Sequence, residues 1–371
     1  MKILVISTVK GPYSWAGSEE LWKLMALGAL KQGHSVTVCL QDTFCASNEM
    51  DEFRSAGGRA IPIKPLNWIQ RRLSPKGFYS RYQKFEKSSF DVICLSGPPA
   101  VPYREKDLCA FLQYSELPKV YVLQGNEDGY ISGAEERRFL KVFYSKLNAV
   151  VCVSQDNARL LQRQLAIQLP NISILPNPIR TKMDATLPWL EGDKECLKFA
   201  TVGRLEVGSK GQDITMEALS SPEWQKRNWV WHLYGTGPDE EYLKELVRYY
   251  GLQDKIKFMS FERDFRKIWK DYHLHVLCSR GEGLALALIE SMFCGRPAVV
   301  TFTGGNHELV RDGVDGFVCM GTNPEMIERT LDRAWKKREE LKKMGQNSFE
   351  RAKAWVPEDV GTKLLEIVIR P

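Results

Sequence analysis

The sequence predicts an α/β protein made of two doubly wound domains in tandem. Three observations carry that prediction. The chain has 371 residues, a length that suits two cores of roughly 150–200 residues better than one. Short apolar, β-rich runs alternate with helix-spaced segments throughout, the pattern of parallel sheets crossed by helices. The series also occurs twice: a second one starts near Leu197, after a stretch at 181–194 that holds Pro188, Gly192 and several charges and reads as a linker.

In the first series, 3–7 is a short strand followed by a loop rich in Gly, Pro and Ser. Leu21, Met25, Leu27 and Leu30 then recur at helical spacing over 19–31, and Gly33 suits the helix C-cap. Another strand reads at 35–40, and further apolar runs follow at 91–95, 119–123 and 149–153. The segment 172–178 leads out of this half. In the second series, strands read at 197–202, 229–234, 256–259, 275–278 and 298–301. Helices read at 213–219, 239–250, 265–272, 286–294 and along the charged run 324–352.

Composition excludes several classes. The chain is 43% hydrophobic and 26% charged, which rules out disorder. No stretch of about 18 uncharged apolar residues exists to span a membrane. The apolar run at 3–9 is short for a signal peptide and ends at Lys10. The nine cysteines are odd in number and form no CxxC pair, and Cys39, Cys94, Cys152 and Cys278 sit in apolar runs, as reduced core thiols do. A cytoplasmic enzyme is the expectation. Charge is uneven. Residues 1–190 carry 24 Lys/Arg against 17 Asp/Glu, a surplus of seven, whereas 191–371 carry 28 against 29.

The stretch 279–300 is the most informative. Glu282 sits between Gly281 and Gly283 directly after a strand, and Glu290 is expected two turns into the helix that follows. Both acids therefore stand at a strand-to-helix junction, where α/β sheets bind ligands. The amides of Leu284, Ala285 and Leu286 are expected to be free at the helix start and able to hold an anion. Arg204 and Lys210 follow another strand in a Gly-bearing loop, where Arg can fork two phosphate oxygens and Lys can act as a point charge. Gly17 lies between the first strand and its helix, a place where backbone can approach phosphate closely. The turn Gly235-Thr-Gly-Pro reads as structural.

These blocks resemble the family 4 glycosyltransferases, which have the GT-B fold. Glu282-Gly-Leu…Glu290-Ser-Met…Gly295-Arg-Pro resembles their E-x7-E signature, and Gly304-Gly-Asn-His-Glu…Asp312-Gly…Gly316-Phe resembles the block after it. Gly203-Arg-Leu…Lys210-Gly resembles the diphosphate segment, Ala16-Gly-Ser-Glu the first glycine-rich loop, and Val153-Ser with Asn177-Pro the segment before the linker. The blocks stand in the family's order over nearly the whole chain.

The resemblance implies roles. Glu290 would bind the ribose of a nucleotide; Glu282 and the amides of Leu284, Ala285 and Leu286 would hold the transferred sugar; Arg204, Lys210 and Gly17 would hold the diphosphate, and Glu262 would lie against the base. It implies domains at 1–185 and 186–354 facing across a cleft, with a helix at 355–369 crossing back to the first. Where the family often has a histidine near the donor sugar, this chain has Gln124, which can hydrogen-bond a hydroxyl but cannot titrate near neutral pH. The implied reaction is retaining transfer of a hexose, with UDP-glucose the commonest donor, to a sugar or lipid-linked saccharide in polysaccharide or glycolipid assembly. A sugar-nucleotide epimerase of similar fold and a non-catalytic nucleotide-sugar sensor are the alternatives.

No metal is expected. The chain lacks the D-x-D pair, and His273 and His275 read as two residues on one face of an edge strand. Arg204 and Lys210 would stabilise the departing diphosphate instead. Finally, 64–87 holds seven cations against the single acid Glu86, interleaved with Trp68, Phe78, Tyr79, Tyr82 and Phe85. It reads as a solvated amphipathic segment or as a platform for a lipid-linked acceptor on an anionic membrane. No nucleic-acid motif accompanies it.

Overall fold

The computed structural model describes residues 1–8, 17–64, 68–69, 81–82, 85, 90–179, 181, 183–191 and 196–370, with Gly17 and Ser18 described through their backbone alone. The chain divides into two compact units. One comprises Met1–Pro178 and Glu358–Pro371, the other Ile179–Pro357.

The first unit is built on a seven-stranded parallel sheet. Its strands are β1 (Lys2–Ser7), β2 (Ser35–Gln41), β3 (Arg59–Ile63), β4 (Val92–Gly97), β5 (Lys119–Leu123), β6 (Ala149–Cys152) and β7 (Ile172–Ile174), in the order β3-β2-β1-β4-β5-β6-β7. Ile3 pairs with Val36 on one side and Val92 on the other. β1 and β4 are apolar without alternation because helices cover both sheet faces. Leu4, Ile6, Ile93, Leu95, Tyr121 and Tyr144 form the core. Burial pushes the thiols of Cys94 and Cys152 up to about 12, so they pack as small apolar groups. Helix Val360–Ile369 lies against helix Gly17–Lys31, so closely that a Cβ on Gly361 would meet Leu24 backbone at 2.9 Å.

The second unit repeats the winding with six strands: β8 (Leu197–Val202), β9 (Trp229–Tyr234), β10 (Ile256–Met259), β11 (Leu274–Leu277), β12 (Ala298–Thr301) and β13 (Gly316–Cys319), in the order β10-β9-β8-β11-β12-β13. Its core gathers Phe199, Trp224, Trp229, Trp231 and Phe317, each at most 1% exposed. In each unit the strand order reverses once, between β1 and β4 and between β8 and β11. The carboxyl ends of such a pair open the crevice in which doubly wound sheets bind ligands.

Several elements differ from the sequence reading. β3 and β13 were not expected. Both are short edge strands, and Pro62 inside β3 argues against a strand except at an edge. The expected helix over 324–352 is two, Pro324–Lys336 and Leu341–Trp355. The last helix begins at Val360 rather than 355, after Pro357. β11 is a central strand, not an edge. His275 is fully buried within it, and His273, just before it, accepts a hydrogen bond from the Lys198 amide. Part of the stretch read as a linker is packed: Met183 and Leu187 lie against a core cluster of the second unit, and Pro188 accepts from Arg296.

Of the basic-aromatic stretch, 65–67, 70–80, 83–84 and 86–87 lie outside the described residues. What is described is largely structural. Tyr82 and Phe85 are core residues; Tyr82 stacks on Phe111 and Phe85 meets it edge-on. Arg81 forks onto Asp107 at 2.5 and 2.9 Å and reaches Glu105 at 2.8 Å. Lys64, Trp68 and Ile69 are exposed. No described helix is long and apolar enough to cross a membrane.

Candidate functional site

The strand-order reversal of the second unit brings two loops together. The first leaves β8 through Gly203 and Arg204, forms the short helix Val207–Lys210 and turns at Gly211 into helix Gln212–Leu219. Gly211 has φ +64°, and a Cβ there would lie 2.2 Å from the Cys278 carbonyl, so only glycine fits. The second loop leaves β11, runs through Ser279–Leu284 and enters helix Leu286–Phe293. The Arg280 and Gly281 amides donate to the Ser209 carbonyl at 2.8 and 3.2 Å. Arg280 forks onto Asp213 at 2.6 and 2.8 Å. The loops are thus stitched by backbone and by a charged brace.

At their meeting point the Lys210 ammonium donates to Glu282 Oε1 at 2.5 Å, and the Ser279 hydroxyl donates to the same oxygen at 2.8 Å. The Lys210 and Glu282 side chains are 16% and 9% exposed. Two oriented donors therefore fix one carboxylate oxygen. Ser279 is itself held, since Thr301 and Thr303 hydroxyls donate to its carbonyl. Arg204 is half exposed and pairs with Glu206 at 3.0 Å, while its carbonyl accepts from Gln212. Glu290 is buried at the fifth position of its helix, one turn in rather than the expected two.

One expectation fails. The Ala285 amide is not free at the helix start, because it donates to Asn306 Oδ1 at 3.1 Å. The next loop closes over this one. The Gly305 amide donates to the Gly283 carbonyl at 2.6 Å, and a Cβ on Gly304 would lie 2.3 Å from the Glu282 carbonyl. The amide of Ala285 is a joint between two loops. Gly235 and Gly237 are structural, as read: a Cβ on either would come within 2.2 Å of a carbonyl in the Gly203–Leu205 turn.

Other expected residues are placed as follows. Glu262 follows β10, and its carboxylate accepts the Asp264 amide at 2.8 Å in the turn before helix Phe265–Trp269. In the first unit Gln124 follows β5, with its Nε2 donating to the Ser96 hydroxyl at 3.3 Å and its amide to the Gly97 carbonyl at the end of β4. Gly17 opens the first helix, and the loop before it, 9–16, lies outside the described residues. Sequence reading missed Ser279, which donates to Glu282, Thr301 and Thr303, which hold the Ser279 carbonyl, and Asn306, which holds the Ala285 amide. Asn306 lies in the Gly304-Gly-Asn-His-Glu segment, but no spacing rule pairs it with Ala285.

His275 Nδ1 lies 2.9 Å from the Ser291 hydroxyl. That hydroxyl donates to the Leu288 carbonyl, so the imidazole proton sits on Nδ1 and donates. Burial, with the nearby Lys210 charge, lowers the His275 pKa to about 3. Arg296 is fully buried on carbonyls of Trp269, Cys294, Gly295 and Pro188. Among the described residues no group of three or more His, Cys, Asp and Glu is placed to hold a metal ion.

Comparison with known proteins matches residues 190–351 to the family model of Glycosyl transferases group 1 and residues 15–182 to that of Glycosyltransferase Family 4. An uncharacterized glycosyltransferase of Methanocaldococcus jannaschii is 25% identical over 240 residues, 64% of each chain. An exopolysaccharide phosphotransferase of Streptomyces coelicolor is 24% identical over 55% of this chain but 21% of its own length. The chain thus matches under two thirds of the length of these curated relatives. Anabaena HepE in complex with UDP and glucose superposes with a TM-score of 0.73 at 18% identity, covering 100% of both chains. Sucrose-phosphate synthase of Thermosynechococcus elongatus superposes with a TM-score of 0.77 at 16% identity, covering 100% of this chain and 99% of its own. The fold is that of these GT-B proteins.

Proposed function

This chain belongs to the group 1, family 4 glycosyltransferases, and from that premise we propose that it moves a hexose from a nucleotide diphosphate sugar to a saccharide hydroxyl. The Lys210–Glu282 contact carries the reading, because it joins a cation and an acid at the reversal of the second sheet, where a ligand is expected. Arg204 and Lys210 hold the diphosphate, Glu290 takes the ribose hydroxyls, Glu262 lies by the base, and Glu282 with the Leu284 and Leu286 amides holds the sugar. Lys210 would exchange part of its contact with Glu282 for a phosphate oxygen, releasing the carboxylate to accept from a sugar hydroxyl.

The donor is UDP-glucose, a choice supported by the UDP-glucose complex of HepE. Transfer retains anomeric configuration by a same-face route. The bond from the anomeric carbon to the phosphate oxygen breaks, the acceptor oxygen bonds on the same face, and the acceptor proton passes to the departing phosphate. The two cations take the developing charge without a metal ion. The acceptor is a sugar or lipid-linked saccharide of polysaccharide assembly at the inner membrane face, approached through the cations of 64–87.

The test is a thermal-shift screen against UDP-, GDP-, ADP- and dTDP-sugars, since donor binding raises the melting point by mass action, followed by product analysis with the best donor. Sugar transfer with retained configuration is the expected result. Release of an altered free sugar without acceptor identifies an epimerase, and binding without turnover identifies a sensor.

A further inference from the structure

The loop after β12 carries two aromatic side chains that the proposed donor contacts do not use. Phe302 follows the last residue of β12, and its amide still donates to the Cys319 carbonyl at 2.8 Å. His307 lies in the short helix Asn306–Leu309. Their rings stack, with centroids 3.7 Å apart and planes 22° from parallel. Phe302 remains 46% exposed, whereas the core aromatics of this unit are closed from solvent. One face of Phe302 is therefore covered by the imidazole, and its exposed surface belongs to the other face and the edge. His307 Nδ1 is buried and has no hydrogen-bond partner, so the imidazole is held here by ring packing rather than by a polar contact at that nitrogen.

The position is informative. The rings bracket residues 303–306, which grip the Glu282 loop: Thr303 through the Ser279 carbonyl, Gly304 by close packing on the Glu282 carbonyl, Gly305 through Gly283 and Asn306 through Ala285. A backed, one-sided aromatic ring is thus tied to the same loop as the buried carboxylate. A pyranose has a rim of hydroxyls and an apolar C–H face. An exposed aromatic face covers the second while polar groups take the first.

We infer that Phe302, backed by His307, is a stacking platform for a hexopyranose ring. This rests on the sugar-transfer reading for which sugar binds, but not for whether one binds. Two sources share the chemistry, the hexose of the donor and the saccharide of the acceptor.

The intact protein is tested by saturation-transfer NMR with methyl α-glucoside, methyl α-galactoside and N-acetylglucosamine. Phe302→Ala and Phe302→Tyr are compared with the parent. Saturation of ring C–H protons in the parent, its loss in Phe302→Ala and its return in Phe302→Tyr are expected. No saturation in the parent, or an undiminished signal in a folded Phe302→Ala protein, overturns the platform, whatever the transfer assay gives. If Phe302→Ala does not fold, Phe302→Leu takes its place.

Kinetics assign the source. If the donor hexose stacks, KM for the sugar nucleotide rises roughly five- to tenfold in Phe302→Ala while UDP affinity is unchanged. If the acceptor stacks, donor KM holds and the glycoside signal persists at saturating sugar nucleotide. A parallel loss of UDP affinity means that the ring stacks the base, and overturns the inference. Absence of transfer by the parent with every donor sinks the transfer reading alone.

Discussion

Lys210 and Glu282, 72 positions apart in sequence, share a 2.5 Å contact and are both largely withdrawn from water. A pair of this kind is costly to break from one side, because the surviving charge stays buried without its partner. Glu282→Ala and Lys210→Ala are each expected to lose about 3 kcal/mol of stability. That separates this site from an exposed ion pair, whose loss is close to neutral. The double variant Lys210→Met/Glu282→Gln should regain most of the melting temperature and none of the sugar transfer. A double variant that recovers turnover would remove both residues from the chemistry.

Asn306 offers its side-chain oxygen to the Ala285 amide. Asn306 is fully buried, so Asn306→Asp keeps that acceptor but encloses a charge; it should lower stability at neutral pH and recover toward the parent as the carboxyl is protonated at lower pH. Asn306→Ala leaves a buried amide unpaired and should cost about 1–3 kcal/mol. Donor affinity should fall with it, because the entry to helix Leu286–Phe293 loses its tether. Melting curves with and without UDP-glucose read both effects.

Gly211 and Gly33 both have positive φ, yet their surroundings differ. At Gly33 nothing lies within 4 Å of a new Cβ, whereas at Gly211 it meets the Cys278 carbonyl at 2.2 Å. Gly33→Ala should cost about 1 kcal/mol of backbone strain. Gly211→Ala adds a clash between the two site loops and should lower both melting temperature and turnover far more. Equal effects of the two substitutions would show that the loops are not locked as described.

His275 titrates near 3 in the folded chain and near 6.5 when unfolded. Between those values the unfolded chain binds the extra proton, so stability falls as pH falls through this window and is fully present above it. His275→Asn, which can still offer an N–H to Ser291, should flatten the dependence of melting temperature on pH between 4 and about 6.5. An unchanged slope would place the acid sensitivity elsewhere.

Neutralising Arg71, Arg72, Lys76 and Lys84 together should weaken binding to anionic vesicles and leave UDP-glucose affinity unchanged. Arg81 is left out of that set because Asp107 and Glu105 already hold it. If the parent does not bind such vesicles, the surplus charge of the first half serves solubility alone.

The central strands were legible because burial on both faces leaves unbroken apolar runs such as 3–6 and 298–300, all of them fully buried. Edge strands β3 and β13 were not legible: they are short, and one contains proline. The loop positions of Glu282, Lys210 and Arg204 were legible because charge in a Gly-bearing loop after a strand is chemically conspicuous. The Ala285–Asn306 bond could not, since amides at a helix start look alike until the loop that covers them is in place. The basic stretch shows the same limit. Arg81 counts with its neighbours in sequence but is matched in space by Glu105 and Asp107, two acids more than twenty residues away.

The first unit is discontinuous in sequence, and this bears on the order of folding during synthesis. Leu21, Trp22 and Met25 on the first helix are fully buried, and helix Val360–Ile369 packs on that helix with Leu364, Leu365 and Val368 turned inward. Residues 179–357 form the second unit without interruption. On the ribosome the later unit can therefore close first, while the earlier one waits with an open apolar seam until its last helix emerges. A nascent chain stalled before Glu358 should display that seam, making the first unit, although made first, the longer client of chaperones.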